Sequence, residues 1–410
     1  MKKILYILSL ALWPSLGATA QELAQWQAWA AEANPEVQAH DRALEAALQH
    51  IATVNQLPEP TLSLGVFVLP IETRVGPQQF RASLSQRLPW FGELQAREDV
   101  ATHQAEARYA QAQDVRARLY VTVAETYYAL AEVEALLALE RQHRVLLERT
   151  QQLANQRIAS GEASLSASLK VDLQLADSQL RIENLEARRA PLAVALKALA
   201  QRPDGQAVEV DSLAAPAALA LPPYVLADTL HPQWQRLEGE RQAAQAQAVL
   251  AAKQGMPQFG VGLDYVAIGL RTDMPTLVGN GRDALAPGVQ ISIPIHRSRY
   301  AAAVQEAQLR QQEKAYQQAA VLDRLRVEYA RLANTAEEQA RRYTHYQAQV
   351  QKAERIVAQL LAEYGNDQAK FEDILDWQAQ QLQYQKEGVK ALVGYTITLQ
   401  QLTYITANPQ

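Results

Sequence analysis

The chain of 410 residues contains no cysteine. Disulfides, thiolate metal sites and cysteine nucleophiles are therefore excluded, and so is a lipid anchor on an N-terminal cysteine. Methionine is almost as scarce. Of three in the sequence, only Met256 and Met274 lie beyond the start, too few for a methionine-lined relay of soft metal ions. After the first twenty residues no run of about 18 apolar residues occurs, so no helix is expected to span a bilayer. Entry into a membrane would have to be made by strands closed into a barrel, because open sheet edges cannot be satisfied in lipid. The formal net charge of -5 is modest, with both signs spread along the chain, and gives no patch for nucleic acid. Glycine and proline are missing from two long stretches, Glu93 to Ile158 and Arg297 to Tyr364.

The first twenty residues read as a secretory signal. Lys2 and Lys3 supply the basic start, Ile4 to Leu12 the apolar run, and Ala18-Thr19-Ala20 a small-x-small cleavage site before Gln21. An N-terminal core helix would not need all three together. The expected divisions are a signal over 1-20, a first repeat over 21-201, a linker over 202-229 and a second repeat over 230-410. The linker rests on its alanine and its prolines Pro203, Pro216, Pro222 and Pro223.

The two repeats follow one order of elements. Asn34-Pro35 with Gln38 opens the first, and His231-Pro232 with Gln235 opens the second at the same spacing. Proline suits the first helical turn, so helices are expected over Pro35 to Gln56 and Pro232 to Gln254. Two strand-like segments follow in each repeat. Leu62, Leu64, Val66 and Val68 recur at period two, as do Phe80, Ala82 and Leu84 between Arg81, Ser83 and Ser85. Phe259, Val261, Leu263 and Tyr265 alternate with Gly260, Gly262 and Asp264, and Val289, Ile291, Ile293 and Ile295 form the fourth series. One apolar face at period two fits a lipid-facing barrel strand. It fits a soluble sheet packed on one face equally well. Four strands cannot close a barrel, so several chains would have to share one.

The glycine- and proline-free stretches are the stronger signal. At 1.5 Å per residue each predicts a helix roughly 100 Å long, beyond globular lengths and suited to coiled-coil packing. Tyr346, Val350, Ala353, Val357, Leu360 and Tyr364 follow alternating steps of four and three, and Leu139, Leu146 and Leu153 recur every seven residues. Shorter returning helices are expected over Ser164 to Ala200 and Ala369 to Tyr404. Leu169, Leu173, Ala176 and Leu180 would form the seam of the first, and Leu375, Leu382 and Val389 that of the second. The fold class is mainly α with a minor β part, built as duplicated long coiled-coil hairpins.

This order of elements resembles the outer membrane factor (TolC-like) family over essentially the whole chain after the signal. The resemblance is carried by the duplicated plan and by Leu88-Pro89-Trp90-Phe91-Gly92 closing a strand before a long helix. It is carried also by the hairpin tips Arg157-Ile158-Ala159-Ser160-Gly161-Glu162-Ala163-Ser164 and Glu363-Tyr364-Gly365-Asn366-Asp367. It implies a homotrimer in the outer membrane, with four strands per chain in a shared 12-stranded transmembrane barrel and a trimeric α-helical barrel in the periplasm. It implies an exit duct of a tripartite efflux system, partnered by a periplasmic adaptor (membrane fusion protein) and an inner-membrane pump of the RND type. The heavy-metal and small-molecule efflux branch is the implied branch, with metal cations or small toxic compounds as substrate. A type I protein-secretion duct and a soluble periplasmic coiled-coil adaptor are the alternatives.

No catalytic set, cofactor site or metal site is expected. The seven histidines are scattered, mostly on solvated helix positions. Glycine can take the positive φ a hairpin reversal needs, which singles out Gly161 and Gly365. With Arg157 and Tyr364 they form the tips that, by the resemblance, meet the adaptor; a plain helix cap is the other reading. Phe371 to Asp376 resembles the family segment with gate aspartates. Asp373 and Asp376 share one helix face, and a ring of such acids would favour cations. A solvated charged face explains them as well. In the first repeat only Asp172, beside Lys170, stands near the matching place. The loops Pro70 to Gln79 and Ala267 to Ala286 would face outside.

Overall fold

The computed structural model describes residues 18-159, 165-203, 230-364 and 369-407, with single positions 205, 208, 210, 213 and 219. The expected signal segment, apart from its last three residues, and most of the expected linker lie outside the described residues. The elements are α1 (Ala18–Ala33), α2 (Pro35–Val54), β1 (Thr61–Val66), β2 (Glu72–Thr73), β3 (Gly76–Leu88), α3 (Glu93–Ala159), α4 (Leu165–Leu199), α5 (Pro232–Gln254), β4 (Gln258–Ile268), β5 (Ala284–Ser292), α6 (Arg297–Tyr364) and α7 (Phe371–Ile405). The long helices have 67 and 68 residues and the returning helices 35 each, which gives the two halves matching parts.

The matched openings have matched chemistry. Asn34 Oδ1 accepts from the Glu36 backbone N–H at 2.9 Å, and His231 Nδ1 accepts from that of Gln233 at 3.2 Å. Each caps a helix whose first residue is proline, so an orphan donor two residues on is satisfied.

Two compact units are formed. One comprises Met1–Gln38, Asp114–Ala227 and Arg324–Gln410; the other comprises Ala39–Gln113 and Asp228–Asp323. In the first, Leu23, Trp26 and Ala30 of α1 pack on Val115, Leu119, Val123, Tyr127 and Leu130 of α3 and on Leu196 of α4. The Arg202 guanidinium lies 3.7 Å from the Trp29 ring centroid. No helix was expected ahead of Asn34, although Leu23, Trp26 and Ala30 stand at helical spacing.

In the same unit α3 and α4 run antiparallel with an even register. Glu134 meets Arg189, Arg144 meets Gln179, Gln151 meets Asp172, and Asn155 meets Ser168 at 2.9 Å. The buried face of α4 is Ser168, Val171, Ser178, Ile182 and Leu185. This corrects the expected seam. Leu169, Leu173 and Leu180 are 54%, 69% and 57% exposed, and Ala176 is exposed with them. The helix carries two heptad stripes on different sides, and the one richer in leucine is not the one that packs within the chain. Of the expected α6 and α7 seams, Ala353, Val357, Tyr364, Leu375 and Leu382 are buried, and Tyr346, Val350, Leu360 and Val389 are half-buried.

The second unit holds the sheet, an antiparallel array in the order β1-β3-β4-β5, with β2 on β3. The pairing of β3 with β4 joins the two repeats. The β1 run is shorter than expected, six residues, and pairing continues only through Phe67 N–H to the Gln79 carbonyl at 3.0 Å. The segment Pro70 to Gln79 is not a plain loop, since it contains β2 and the start of β3. Gly76 has φ +136°, and a Cβ there would lie 1.9 Å from the Gly269 carbonyl oxygen, so only glycine fits.

Candidate functional site

Register sorts the sheet into two faces. Leu64 opposes Ala82, Ala82 opposes Tyr265, and Tyr265 opposes Leu285; Leu62, Leu84 and Leu263 form a parallel row with Pro287. Directly opposed residues share a face, so this face is apolar across all four strands except at Gln86. It is also uncovered within the chain: Leu64 is 65% exposed, Val66 74% and Val289 75%. The opposite face carries Ser63, Ser83, Ser85, Gly260, Gly262 and Gly288. Aromatic residues stand at the helical end, where Trp90 stacks on Phe259 with centroids 5.9 Å apart and Phe91 is exposed. Gly92, at φ +75°, turns the chain from this strand into α3. Among the described residues, β1 and β5 are the edges of the sheet.

At the ends of the helical hairpins the structure brings together two of the four residues expected at the tips. The Arg157 guanidinium sits 4.3 Å from the Tyr364 ring centroid, a cation–π contact between α3 and α6. Tyr364 in turn touches Phe371, centroids 5.5 Å apart. Both belong to a core with Leu147, Ala154, Val171, Ile374 and Leu375 drawn from all four hairpin helices. Gly161 and Gly365 lie outside the described residues.

Asp373 and Asp376 are exposed, on the side of α7 away from Phe371, Ile374 and Leu375. Among the described residues neither has a hydrogen bond or ion pair. Asp172 instead accepts from Gln151 along the first hairpin. Glu372, between the expected gate residues and the tip, pairs with Lys170 of α4 at 2.6 Å. The ammonium holds the Glu372 carboxyl below the usual carboxylate range. Deeper in, Gln378 Nε2 donates to Thr150 Oγ1 at 3.2 Å. The two hairpins are thus tied by a cation–π contact, an ion pair and a buried hydrogen bond.

A further cluster was not foreseen. Glu140 of α3 is fully buried and accepts from Arg181 Nε of α4 at 2.9 Å and from Lys386 Nζ of α7. His143, one turn along, is 7% exposed, and burial pushes its imidazole down to about 4. His143 and His231 are buried, which corrects the expectation of solvated histidines. An acid at the end of the apolar run Leu136 to Leu139 was the available signal. In the other unit, Glu238 is held down to about 2, chiefly by Arg241. In the same unit α2, α3, α5 and α6 line an open cleft of about 940 Å³ with alanines and with Arg108, Glu240, Glu306 and Arg310. Among the described residues no three His, Asp or Glu gather as a metal site, and no helix is long and apolar enough to cross a membrane.

The chain thus has two long helical hairpins of matching length and one two-faced antiparallel sheet. No protein-family model and no curated relative matches the chain. Solved structures do. The outer membrane protein VceC of Vibrio cholerae is 18% identical with a TM-score of 0.74, the match covering 96% of this chain and 99% of that one. A membrane protein from Pseudomonas aeruginosa is 16% identical with a TM-score of 0.77 over 94% and 93%. The MtrE outer membrane channel of Neisseria gonorrhoeae, in its open state, is 16% identical with a TM-score of 0.73 over 94% and 88%. At these identities the likeness is one of fold, and at that level the resemblance to the outer membrane factor family is borne out.

Proposed function

We propose that the chain is the outer-membrane exit channel of a tripartite efflux system. It is exported, the first twenty residues serving as its signal, and three copies assemble. Their strands close one 12-stranded barrel, and their hairpins line a tunnel in the periplasm. The observation that carries this reading is the sheet: one exposed face apolar but for Gln86, the other mostly small or polar, with both edges open. Strands of nine to thirteen residues in β3, β4 and β5 are long enough to cross a membrane when tilted. Trp90, Phe91 and Phe259 stand where an aromatic girdle belongs. The exposed Leu169-Leu173-Leu180 stripe of α4 supports assembly, because a helix with a neighbour on each side needs two seams.

In this reading the channel is passive. It conducts metal cations or small toxic compounds delivered by an inner-membrane pump through a periplasmic adaptor. The adaptor meets the tips at Arg157, Gly161, Tyr364 and Gly365, and Asp373 and Asp376 form a carboxylate ring at the constriction. Purified in detergent, the protein should run as a trimer and give stepwise conductance in planar bilayers. Recovery of the processed chain in the soluble periplasm without detergent would overturn the reading in favour of an adaptor. For the ring, Asp373→Ala with Asp376→Ala should weaken block by divalent cations; unchanged block removes that role.

A further inference from the structure

We infer that Arg81 and Asp264 stand together in the water-filled lumen of the barrel and set its ion preference. This rests on the channel reading above. The sheet has only two faces, and the apolar one must meet lipid. Arg81 and Asp264 belong to the other. Ser83 opposes Asp264, and Arg81 opposes Val266 one step further along β3. The Arg81 side chain reaches diagonally to Asp264, with Nη2 at 2.9 Å and Nε at 3.1 Å from Oδ1, and the Ser83 hydroxyl donates to the same oxygen. The residues next to them on that face, Gly65, Ser83, Gly262, Val266 and Ala286, are short and uncharged. The pair is therefore the charge that this face carries at the middle of the sheet. Arg81 is 54% and Asp264 34% exposed, as groups open to water on one side should be.

The charges of that face, counted over the strands, are Arg81, Arg87 and Asp264. Arg87 lies nearer the helical end, is exposed, and has no ion pair among the described residues. Paired, Arg81 and Asp264 nearly cancel. Remove either, and a three-fold assembly presents a ring of three like charges at one level. Rings of charged side chains select ions of opposite sign. The two single substitutions must then act in opposite directions, which no general disturbance of the barrel would produce.

The test is the reversal potential of the purified channel in a potassium chloride gradient across a planar bilayer. Arg81→Gln should move the permeability ratio toward potassium. Asp264→Asn should move it toward chloride. Each shift should be about twofold or more near 0.1 M salt, where the screening length is about 10 Å. Exchanging the two, Arg81→Asp with Asp264→Arg, should return the ratio to the unsubstituted value. A conducting parent whose reversal potential neither single variant moves overturns this inference alone. A parent that does not conduct overturns the channel reading. Should a charge variant fail to insert, Ser85→Cys decides the matter in a chain with no other thiol. Labelling by a charged, membrane-impermeant thiol reagent is expected, and complete protection in the inserted protein overturns the lumen placement.

Discussion

Two helix-interior glycines should respond in opposite ways to the same substitution. Alanine is favoured over glycine inside a helix by about 1 kcal/mol, so either change would stabilise if space allowed. At Gly239 of α5 it does not. A Cβ there would lie 2.8 Å from the Ala107 nitrogen, 3.0 Å from its Cα and 3.0 Å from the His103 carbonyl oxygen. All three are backbone atoms in the interior of α3, and they can yield only if the two helices move apart. Overpacking costs about 1–3 kcal/mol, and a clash with three backbone atoms of a packed helix belongs at the upper end. Gly239→Ala should therefore destabilise by about 1–2 kcal/mol net of the propensity gain. At Gly388 of α7 the nearest atoms are Gln347 Nε2 at 3.7 Å and Tyr346 Cβ at 3.8 Å, ordinary contacts. Gly388→Ala should keep its gain, about 0.5–1 kcal/mol. With an unfolding entropy of roughly 2.1 cal/mol/K per residue, the loss at Gly239 lowers the melting midpoint of its unit, about 170 residues, by about 3–6 °C. Calorimetry of the detergent-purified protein reads both changes. A Gly239→Ala protein that melts at or above the parent refutes the reasoning, because close helix approach would then not be what requires glycine.

Other consequences follow from buried charge and from the faces of the sheet. Glu140→Ala strands Lys386, only 17% exposed, and frees Arg181 to turn to solvent; a loss of about 3 kcal/mol is expected, and a urea midpoint like the parent's would count against it. His143 is held neutral by burial, with Arg181 and Lys386 opposing protonation and Glu140 favouring it. The unfolded imidazole takes its proton near pH 6.5 and the folded one near 4, so this contribution is complete above about 6.5 and is lost as the pH falls toward 4. His143→Gln should flatten part of that acid loss when urea midpoints are compared at neutral and acid pH; an unchanged slope would show that His143 does not drive it. Leu84→Cys, next to Ser85 but on the apolar face, should react with a lipid-soluble maleimide and resist a charged thiol reagent; rapid reaction with the charged reagent would contradict lipid contact.

Much of the fold was legible because helices and strands are local. The bounds of α6 were read to the residue, since Pro294 and Gly365 flank a run free of breakers. Asn34-Pro35 and His231-Pro232 announced α2 and α5 through chemistry that acts within three residues. The apolar alternation of the strands was legible too, and the structure added that it forms one continuous face. Of the candidate site, the contact of Arg157 with Tyr364 was prefigured only as two residues of one region. The ion pair of Lys170 with Glu372 was not, because each looked like a solvated charge.

Periodicity, caps and breakers act between neighbours and need no partner, so the kinds, order and lengths of the elements could be read from the sequence for all but α1, β2 and the extent of β1. The sequence could not determine which stripe of a two-striped helix packs inward, and the leucines of α4 were assigned to the wrong side for that reason. Nor could it bring Glu140 to Arg181 and Lys386, or Arg81 to Asp264. Those meetings depend on the register between helices and strands far apart in the chain, and only the tertiary structure sets it.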